Sequence, residues 1–403
     1  MRCRICKSKL KNIINFGKIG LVGNFYKKKK IEQKFKISLN FCSLCKHVQI
    51  KEKLNPDALF KNYLWETGVS KSNITLIKQL IKTLKKLKIS KKSKIFEIAC
   101  NDGIFLNILQ KKLNCFTLGM DPARNLANKN KTKNVTRIVN YFNKKTSKKV
   151  SSKFGKFDFV IARNVLAHVK NPNEIFNGAF NILKENGIFI LEFPSLLNII
   201  KNNQYDNVFH EHIGFHSLKS IIDLCNLNHM RMINFDKIDS QGGSLRCYVV
   251  KKSSNMKVNN KIKNFIKIEK NNGLYSNKKL MSFKKNINAH RVKINSFIKN
   301  LKKKNKKISA YGASGKGLAL LQYCKINNKL IDDIYDKSKL KQNKFTAGSQ
   351  IFIKNPFKIK KQRIDYLLLL SWNLKKEIIK QEKKFRTNGG KFIIPFPSPK
   401  VVK

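Results

Sequence analysis

The segment Gln204–Leu218, "QYDNVFHEHIGFHSL", concentrates side chains that can carry out acid–base chemistry. It contains three of the seven histidines of the chain, together with two acids: His210, His212, His216, Asp206 and Glu211. An imidazole titrates near neutral pH, so one that is oriented by a neighbouring carboxylate can serve as a general base. Two other interpretations stay open. The histidines could ligate zinc, although the H-E-x-x-H spacing and a third ligand are missing, or they could pack beneath a loop.

A nucleotide-type turn precedes this segment. The stretch "KIFEIACNDGIFLNILQKK" predicts a buried strand over Ile95–Ala99, a tight turn and a helix from Ile104. A second strand then ends at Asp121, close to the ~20-residue offset at which an acid accepts hydrogen bonds from ribose hydroxyls. Because only Gly103 is a glycine in the turn, a nucleoside without phosphate, such as S-adenosylmethionine, is favoured over a dinucleotide. An ordinary Asn-Asp-Gly turn is the alternative.

The strands that follow determine where such a ligand would lie. Phe157–Val169 and Gly187–Ser195 are predicted as further buried strands with a helix between them. This alternation predicts a doubly wound parallel sheet, which binds its ligand at the carboxyl ends of the strands. The histidine segment follows the carboxyl end of the second of these strands, Gly187–Ser195. Glu97 and Asp102 are expected near the cationic amino-acid end of S-adenosylmethionine.

Two cysteine pairs near the N-terminus have the spacing of zinc knuckles. "CRIC" and "CSLC" each place two thiols on one tight turn, and two such turns can close a tetrahedral shell around zinc. The four cysteines are Cys3, Cys6, Cys42 and Cys45. Four thiolates leave no open coordination position, so the predicted zinc site is structural. The stretch between the pairs, with "NFGKIGLVGNF", is predicted to form a small β-structure. Four unrelated buried thiols are the alternative.

The chain is strongly basic, but its positive charge is spread evenly. A formal net charge of +63 would suit a nucleic acid or an anionic membrane surface. A nucleic-acid binder is expected to cluster its charge, prefer arginine and interleave aromatic residues. Here lysine instead accompanies asparagine and isoleucine from end to end, which is typical of an AT-rich genome, so nucleic acid is not the expected partner. A length of 403 residues predicts two or three domains.

No stretch of the sequence predicts secretion or membrane insertion. The longest mostly apolar stretch, Gly187–Ile200, contains Glu192 and Pro194 and is shorter than the ~20 apolar residues of a membrane span. Cysteines and lysines interrupt the N-terminus before a signal peptide could form. The protein is therefore expected to be cytoplasmic, with no membrane partner, and its nine cysteines are expected to bind metal or to be buried rather than to form disulfides.

Motifs along the whole chain resemble those of one enzyme family. They are the cysteine pairs with "LCKHVQ", then "EIACNDGIFL", "RNVLAHV", "EFPSL", "FHEHIGF", "QGGSLR" and a long C-terminal block that begins "AYGASGKGLALLQYC". In this combination the chain resembles the nucleotide-sugar C-methyltransferases. The resemblance implies an α/β protein in which a class I (Rossmann-like) methyltransferase domain is flanked by a small N-terminal zinc-binding domain and a C-terminal Rossmann-like α/β domain.

The resemblance also implies which residues carry the reaction. Those implied to be catalytic are His212 as the base, Glu211, His210 and Tyr63, the last as the nearest match to a family tyrosine. Those implied to bind the cofactor are Glu97, Ala99, Asn101, Asp102, Gly103, Asp121 and Asn164. The chain departs from the family at two positions. Phe209 stands where a tyrosine is common, and Ala99 replaces the first glycine of the turn.

The C-terminal third contains a second nucleotide-type pattern. "ISAYGASGKGLALLQYC" predicts a strand, a turn and a helix, and a further strand ends at Asp336. Lys316 and "KQNKFTAG" could receive a pyrophosphate, and the resemblance implies that this part helps to hold a nucleotide-sugar. A duplicated fold used only for packing is the alternative. The expected domains are residues 1–58 (zinc-binding), 59–250 (methyltransferase with a leading helix), 251–305 (a linker of solvated helices) and 306–403 (C-terminal).

These patterns and the resemblance together predict an S-adenosylmethionine-dependent C-methyltransferase that acts on an NDP-4-keto-deoxysugar. A proton on the carbon next to a ketone is acidic because the resulting charge spreads onto oxygen, so His212 could remove it before methylation. The alternatives are methylation at oxygen or nitrogen of a related sugar, and a zinc-containing protein that modifies nucleic acid. The expected cofactors are S-adenosylmethionine and a structural Zn²⁺, and the expected assembly is a monomer or a dimer.

Overall fold

Three β-sheets organise the chain in the computed structural model, which describes residues 2–52, 54–129 and 135–403. The sheets contain four, seven and eight strands and follow one another along the sequence. A small N-terminal unit with the cysteine pairs therefore precedes two α/β units, which is the predicted class of fold. No helix in these three ranges is long and apolar enough to cross a membrane.

The N-terminal sheet is antiparallel and lies beside the cysteine pairs. The first four strands of the chain are β1 (Leu10–Ile19), β2 (Phe25–Tyr26), β3 (Phe35–Cys42) and β4 (Val48–Ile50). β1 pairs with β3, and β3 pairs with β4. β1 covers much of the predicted β-structure between the cysteine pairs, and its apolar side chains at Ile14, Phe16 and Ile19 are buried. A bulge near Gly17, whose φ is +84°, bends the strand between two of them.

The central unit is a seven-stranded sheet between helices. Its elements are α1 (Pro56–Phe60), α2 (Lys71–Lys86), β5 (Lys94–Ile98), α3 (Ile104–Leu113), β6 (Phe116–Asp121), β7 (Val135–Val139), α4 (Lys144–Phe154), β8 (Phe157–Arg163), α5 (Pro172–Ile182), β9 (Leu183–Pro194), α6 (Leu196–Lys201), β10 (Gly214–Phe215), α7 (Leu218–Leu227), β11 (Met230–Ile238) and β12 (Ser244–Lys251). The sheet order is β11-β12-β9-β8-β5-β6-β7. β5 to β9 are parallel, and β12 runs antiparallel between β9 and β11. This is the predicted doubly wound parallel sheet, extended at one edge by an antiparallel strand pair.

Burial on both faces explains why the parallel strands are nearly continuous apolar runs. Ile95 and Phe96 are neighbours in β5 and point to opposite faces, yet both are fully buried, each in a different hydrophobic cluster. Helices cover both sides of the sheet. In α3, the side chains of Phe105, Leu106 and Leu109 recur at helical spacing and are fully buried.

Two of the predicted strands have different bounds in the structure. The strand expected over Phe157–Val169 ends at Arg163, because Asn164 has a left-handed conformation with φ +57° that breaks the extended chain. The strand expected from Gly187 begins earlier, at Leu183, where the backbone is already extended directly after α5. The predicted helix from Ile104 begins at that residue.

The C-terminal unit contains the largest sheet. Its elements are α8 (Lys261–Asn271), α9 (Asn277–Lys303), β13 (Ile308–Tyr311), α10 (Gly315–Tyr323), β14 (Asp333–Tyr335), β15 (Phe345–Thr346), β16 (Phe352–Lys354), β17 (Tyr366–Leu369), α11 (Lys375–Gln381), α12 (Lys383–Thr387), β18 (Lys391–Ile394) and β19 (Lys400–Val402). The sheet order is β19-β18-β17-β13-β14-β16-β15-β2. β13 pairs in parallel with both β14 and β17. The strand order therefore reverses at β13, which is where ligands bind in open α/β sheets.

The helices between the two larger units are more than the predicted solvated linker. α9 carries a stripe of buried side chains along its length, which includes Leu280, Phe283, Ile287, Ile294 and Ile298. Spacing of three and four residues places them on one face, so the helix packs this face into the core and exposes its lysines on the other. The weak periodicity of the sequence reflects this narrow stripe in a 27-residue helix.

Short strands cross between the units. β10 pairs with β4, so a piece of the central unit completes the N-terminal sheet. β2 pairs with β15, so a piece of the N-terminal unit forms one edge of the C-terminal sheet. The domain boundaries at residues 58, 250 and 305 remain predictions. The two exchanged strands, β2 and β10, each pair with a sheet on the far side of at least one of these boundaries.

Candidate functional site

A cleft of about 620 Å³ lies where loops of all three units meet. Its lining includes Gly23 from the N-terminal unit, Asn101 and Asp121 from the turns after β5 and β6, and Lys316 and Asp336 from the C-terminal unit. The last four residues lie at or just after the carboxyl ends of parallel strands in two different sheets. Its volume is in the usual range for sites that bind small molecules.

The imidazole of His212 lines this cleft in a fixed orientation. Its Nδ1 atom lies 3.0 Å from the carbonyl oxygen of Asn207. A carbonyl oxygen can only accept, so Nδ1 carries the proton and Nε2 keeps a free lone pair. The ring lies 4.2 Å from the ring of Phe209 and 4.7 Å, edge to face, from that of His168. Desolvation, and then His168 and Lys316, hold the pKa of His212 well below its usual value, so the ring is neutral at neutral pH.

Glu211 and Tyr63 form a second polar pair in the cleft. The tyrosine hydroxyl donates to Oε2 of Glu211 over 3.4 Å. Burial raises the pKa of Glu211 to about 7, although the Tyr63 hydroxyl and Lys341 oppose this shift. The carboxyl group is therefore protonated in a large part of the molecules near neutral pH. A Cβ atom on Gly23 would lie 2.9 Å from Oε1 of Glu211, so a glycine lets the N-terminal loop approach this pair closely.

The three clustered histidines have three different environments, and only His212 lines the cleft. His210 is buried outside the cleft, with its ring edge against Phe35 at 5.7 Å. His216 is buried beside His47, 4.6 Å away. Among the described residues, only the four N-terminal cysteines form a group that could hold a metal ion. The zinc interpretation of the histidine segment therefore finds no support.

The turn after β5 is held against Asp121. Ala99, Asn101 and Gly103 have φ values of +54°, +51° and +73°, so the turn is compact. The Asn101 N–H donates to Oδ2 of Asp121, and the Ala123 N–H donates to Oδ1, both over 2.8 Å. Each carboxylate oxygen keeps a further lone pair for a ligand in the cleft. Ala99 and Asn101 line the cleft with Asp121, whereas Gly103 does not.

Glu97 and Asp102 lie behind this turn rather than in the cleft wall. Glu97 is buried and accepts from Nε and Nη2 of Arg163 over 3.0 and 2.6 Å. Asp102 accepts from the Gly68 N–H over 2.8 Å. Arg163 itself lines the cleft, and sequence reasoning missed it. The available signal was an arginine directly after the apolar run at residues 159–162. Asn164, the next residue, lines the cleft, and its Oδ1 is buried without a hydrogen-bond partner in the described chain.

The four N-terminal cysteines meet in one cluster. Their sulfur atoms lie within 4.8 Å of one another, and the Cys3–Cys45 and Cys6–Cys42 pairs are each 3.5 Å apart. Zinc–sulfur bonds of ~2.3 Å in a tetrahedron place the sulfurs ~3.8 Å apart, so the cluster fits one zinc ion. The other five cysteines are buried elsewhere as single thiols.

The C-terminal side of the cleft combines two lysines with an aspartate. Nζ of Lys316 donates to the Gln241 carbonyl over 2.8 Å, and burial lowers the pKa of Lys316 to about 8. Asp336 accepts from the Ala313 N–H over 2.7 Å, and Nζ of Lys341 donates to the Ala313 carbonyl over 3.0 Å. The turn after β13 is thereby fixed at the point where the strand order reverses.

The strand order of the central sheet, with the turn after β5 facing a cleft, defines a class I methyltransferase domain. Three family models match successive parts of the chain: a zinc binding domain at residues 3–60, a methyltransferase domain at 72–229 and a C-methyltransferase C-terminal domain at 239–397. The C-methyltransferase NovU of Streptomyces niveus is 29% identical over 405 residues, which cover 99% of this chain and 96% of NovU. Along its whole length the chain is therefore similar to a three-part C-methyltransferase, and it is an S-adenosylmethionine-dependent methyltransferase.

Solved structures share more distant similarity. The PH0226 protein of Pyrococcus horikoshii is 18% identical, with a TM-score of 0.38, and the match covers 50% of this chain and 100% of that one. Magnesium protoporphyrin IX methyltransferase of Synechocystis PCC 6803 with bound SAM is 12% identical, with a TM-score of 0.34, and the match covers 44% and 78% of the two chains. The similarity to C-methyltransferases rests on the sequence matches instead.

Proposed function

We propose that this enzyme deprotonates the carbon next to the ketone of an NDP-4-keto-deoxysugar and methylates that carbon. The observation that carries the proposal is the orientation of His212. Its Nδ1 is bound to the Asn207 carbonyl, and its Nε2 remains free in a cleft that also contains the turn after β5. A neutral imidazole with one free nitrogen is a suitable group to remove a proton from carbon.

The reaction needs hydrogen-bond donors for the enolate oxygen that forms as the proton leaves. Glu211 and Tyr63 can supply them, because a carboxyl group with a pKa of about 7 retains a proton at neutral pH and can pass it towards the oxygen. Phe209 has no hydroxyl to contribute, unlike the tyrosine often found at this position in the family. We assign that role to the Tyr63 hydroxyl acting through Glu211, whose Oε2 it contacts.

S-adenosylmethionine fits the side of the cleft that is formed by the central sheet. Asp121 would accept the ribose hydroxyls, and the unpartnered Oδ1 of Asn164 would accept from a donor of the cofactor. Ala99 and Asn101 would form the wall beside it, with Glu97, Asp102 and Gly103 supporting the turn from behind. When bound, the cofactor supplies an electrophilic methyl group.

The C-terminal loops would hold the nucleotide part of the substrate. Lys316 and Lys341 bring positive charge to the same wall as Asp336 and the turn after β13. Cations that face a small-residue turn suit a pyrophosphate. Methylation of oxygen or nitrogen would need no carbon base, so the free Nε2 of His212 favours methylation of carbon.

Isotope exchange tests this function. The enzyme would be incubated in D₂O with a panel of NDP-4-keto-deoxysugars, with and without S-adenosylmethionine. We expect deuterium to enter the substrate next to its ketone, and a new carbon–carbon bond to form at that position when the methyl donor is present, as read by mass spectrometry and carbon NMR. Methylation at oxygen or nitrogen without deuterium uptake would refute the proposal.

A further inference from the structure

We propose that Arg4, within the first zinc knuckle, is a positioning residue for His212, so that the zinc cluster holds the catalytic base in place. This inference rests on the proposed function, in which His212 removes a proton from the substrate. It assigns to the N-terminal unit a role in the reaction beyond folding.

Arg4 lies between Cys3 and Cys6, and its guanidinium reaches out of the knuckle. The residue is only 6% exposed. Nη1 donates to the carbonyl oxygen of Ile213, the residue directly after His212, and Nη2 lies 3.5 Å from the Glu52 carbonyl. A guanidinium cannot be deprotonated in a protein near neutral pH, so Arg4 carries its charge into this buried position. A buried charge is costly unless it is hydrogen-bonded, so the contact with Ile213 specifies where this side chain lies.

The second knuckle contacts the same short segment. The Ile50 N–H donates to the Ile213 carbonyl over 3.2 Å, so this oxygen accepts from both sides of the cysteine cluster. β4 then pairs with β10, which is Gly214–Phe215. The hydroxyl of Ser217 donates to the carbonyl of Lys46, next to Cys45, over 3.3 Å. Residues 213–217 therefore lie directly against both knuckles.

The central unit completes the attachment from its own side. The Ile213 N–H donates to the Ala167 carbonyl over 2.6 Å, and the His212 N–H donates to the Phe209 carbonyl over 2.9 Å. The side-chain amide of Asn173 donates to the carbonyl of Arg4 over 3.3 Å and to that of Ile5 over 3.1 Å. The segment with His212 is thus enclosed between the first zinc knuckle and the loops after β8.

This arrangement predicts that zinc affects catalysis through geometry. One ion bound to four thiolates fixes the two knuckles relative to each other, and their contacts fix the carbonyl of Ile213. Without these contacts the turn that contains His212 would open more often. The backbone amides of this turn would then exchange their hydrogens faster. A misplacement of about 1 Å at a catalytic group can lower the rate about 100-fold.

The test compares Arg4→Met with Arg2→Met in the full-length, zinc-loaded protein. Arg2 is exposed and directly precedes Cys3, so it is a matched control beside the same knuckle. Both variants keep all four cysteines and should retain one zinc per chain. We expect Arg4→Met to increase amide hydrogen exchange in residues 209–217 about 10-fold and to lower kcat by about 10- to 100-fold. The affinity for S-adenosylmethionine should change less than about 2-fold, because that wall of the cleft is untouched.

Two further variants keep the test decisive if Arg4→Met folds poorly. Arg4→Lys should have intermediate exchange and kcat, because an ammonium can reach one carbonyl but cannot span two. Asn173→Ala, which loosens the same knuckle from the other side, should raise exchange in residues 209–217 to a smaller degree. The proposal is overturned if these variants, with zinc bound, match the Arg2→Met protein in both exchange and kcat.

The failure of this inference can be distinguished from failure of the proposed function. If the unmodified enzyme incorporates no deuterium into any NDP-4-keto-deoxysugar, the proposed function is wrong. Hydrogen exchange in residues 209–217 would still report whether Arg4 and zinc hold the segment. Removal of zinc with a chelator should increase that exchange as Arg4→Met does, and restored zinc should reverse the increase. Unchanged exchange in the zinc-free protein would contradict the inference.

Discussion

Nδ1 of His212 lies 3.0 Å from the carbonyl oxygen of Asn207, five residues earlier in the chain. This single contact determines which tautomer the ring adopts, and it leaves Nε2 as the only nitrogen that can accept a proton. The contact is local, so it depends on the shape of the turn between Asn207 and His212. The N-terminal and central units enclose that turn.

Substitution of the base should abolish proton removal and spare cofactor binding. We expect His212→Gln to lower kcat and the rate of deuterium uptake by about 10²- to 10⁴-fold, the usual contribution of a general base. The dissociation constant for S-adenosylmethionine, measured by calorimetry, should stay nearly constant. His229→Asn replaces an exposed histidine and is the control. Deuterium uptake at the normal rate in His212→Gln would exclude His212 as the base.

Lys316 should set the position of the acid limb of the pH profile. Activity rises with pH as the base loses its proton, and the Lys316 ammonium helps to hold the pKa of His212 below its usual value. We expect Lys316→Met to raise that pKa, so kcat/KM should reach its plateau at a higher pH, by about 0.5 to 1 unit. Lys329→Met, at an exposed position, should leave the limb in place. A shift to lower pH would contradict this assignment.

Asp121 should contribute to cofactor affinity more than to the chemical step. We expect Asp121→Asn to weaken S-adenosylmethionine binding about 10- to 100-fold, because an amide replaces one of the two acceptor oxygens and carries no charge. At saturating cofactor, kcat should fall much less. Asp239→Asn, which changes an exposed aspartate outside the cleft, is the matched control. Unchanged binding in Asp121→Asn would remove this residue from the cofactor site.

Glu211 should make the free energy of unfolding depend on pH. Its pKa rises from an unfolded value near 4.5 to about 7 in the folded protein, so the folded state binds the proton more tightly. Stability from this group is therefore complete below pH 4.5 and is lost as the pH rises through 7. At pH 8 we expect the free energy of unfolding of Glu211→Gln to exceed that of the unmodified protein by about 1–3 kcal/mol, so the variant should melt at a higher temperature, with a much smaller difference at pH 5. Thermal melts at both pH values would measure this, and equal differences at the two would argue against it.

The cysteine cluster should bind zinc as a unit. We expect Cys42→Ala to reduce the zinc content, measured by elemental analysis, well below one ion per chain and to lower the melting temperature. Cys115→Ala removes a buried thiol that lies outside the cluster, so it should retain full zinc content. Equal zinc contents in the two variants would show that the metal is held elsewhere.

Local features were predictable from the sequence because they depend on near neighbours. The helix from Ile104 and the strand that precedes it follow from apolar spacing, and the cysteine cluster follows from two short motifs. The end of β8 was not predicted, because the apolar pattern continues past the turn at Asn164. An extended chain and a left-handed turn can have the same apolar composition.

The parts of the site that the sequence did not reveal come from contacts between distant segments. The pattern "HEH" cannot indicate which histidine faces the cleft, since this depends on how residues 204–217 lie between two units. Arg4 was not predicted as a site residue either, because a single arginine does not stand out in a lysine-rich chain. Its enclosure between two cysteines was the available signal, and only the fold shows that it reaches Ile213.

The pairing of β2 with β15 has a consequence for biosynthesis. Tyr26 leaves the ribosome roughly 320 residues before its neighbour Phe345. The nascent N-terminal segment therefore keeps an open sheet edge until β15 has been synthesised. Final assembly of this sheet is expected only after that point, and fragments cut between the units should aggregate through their unpaired edges.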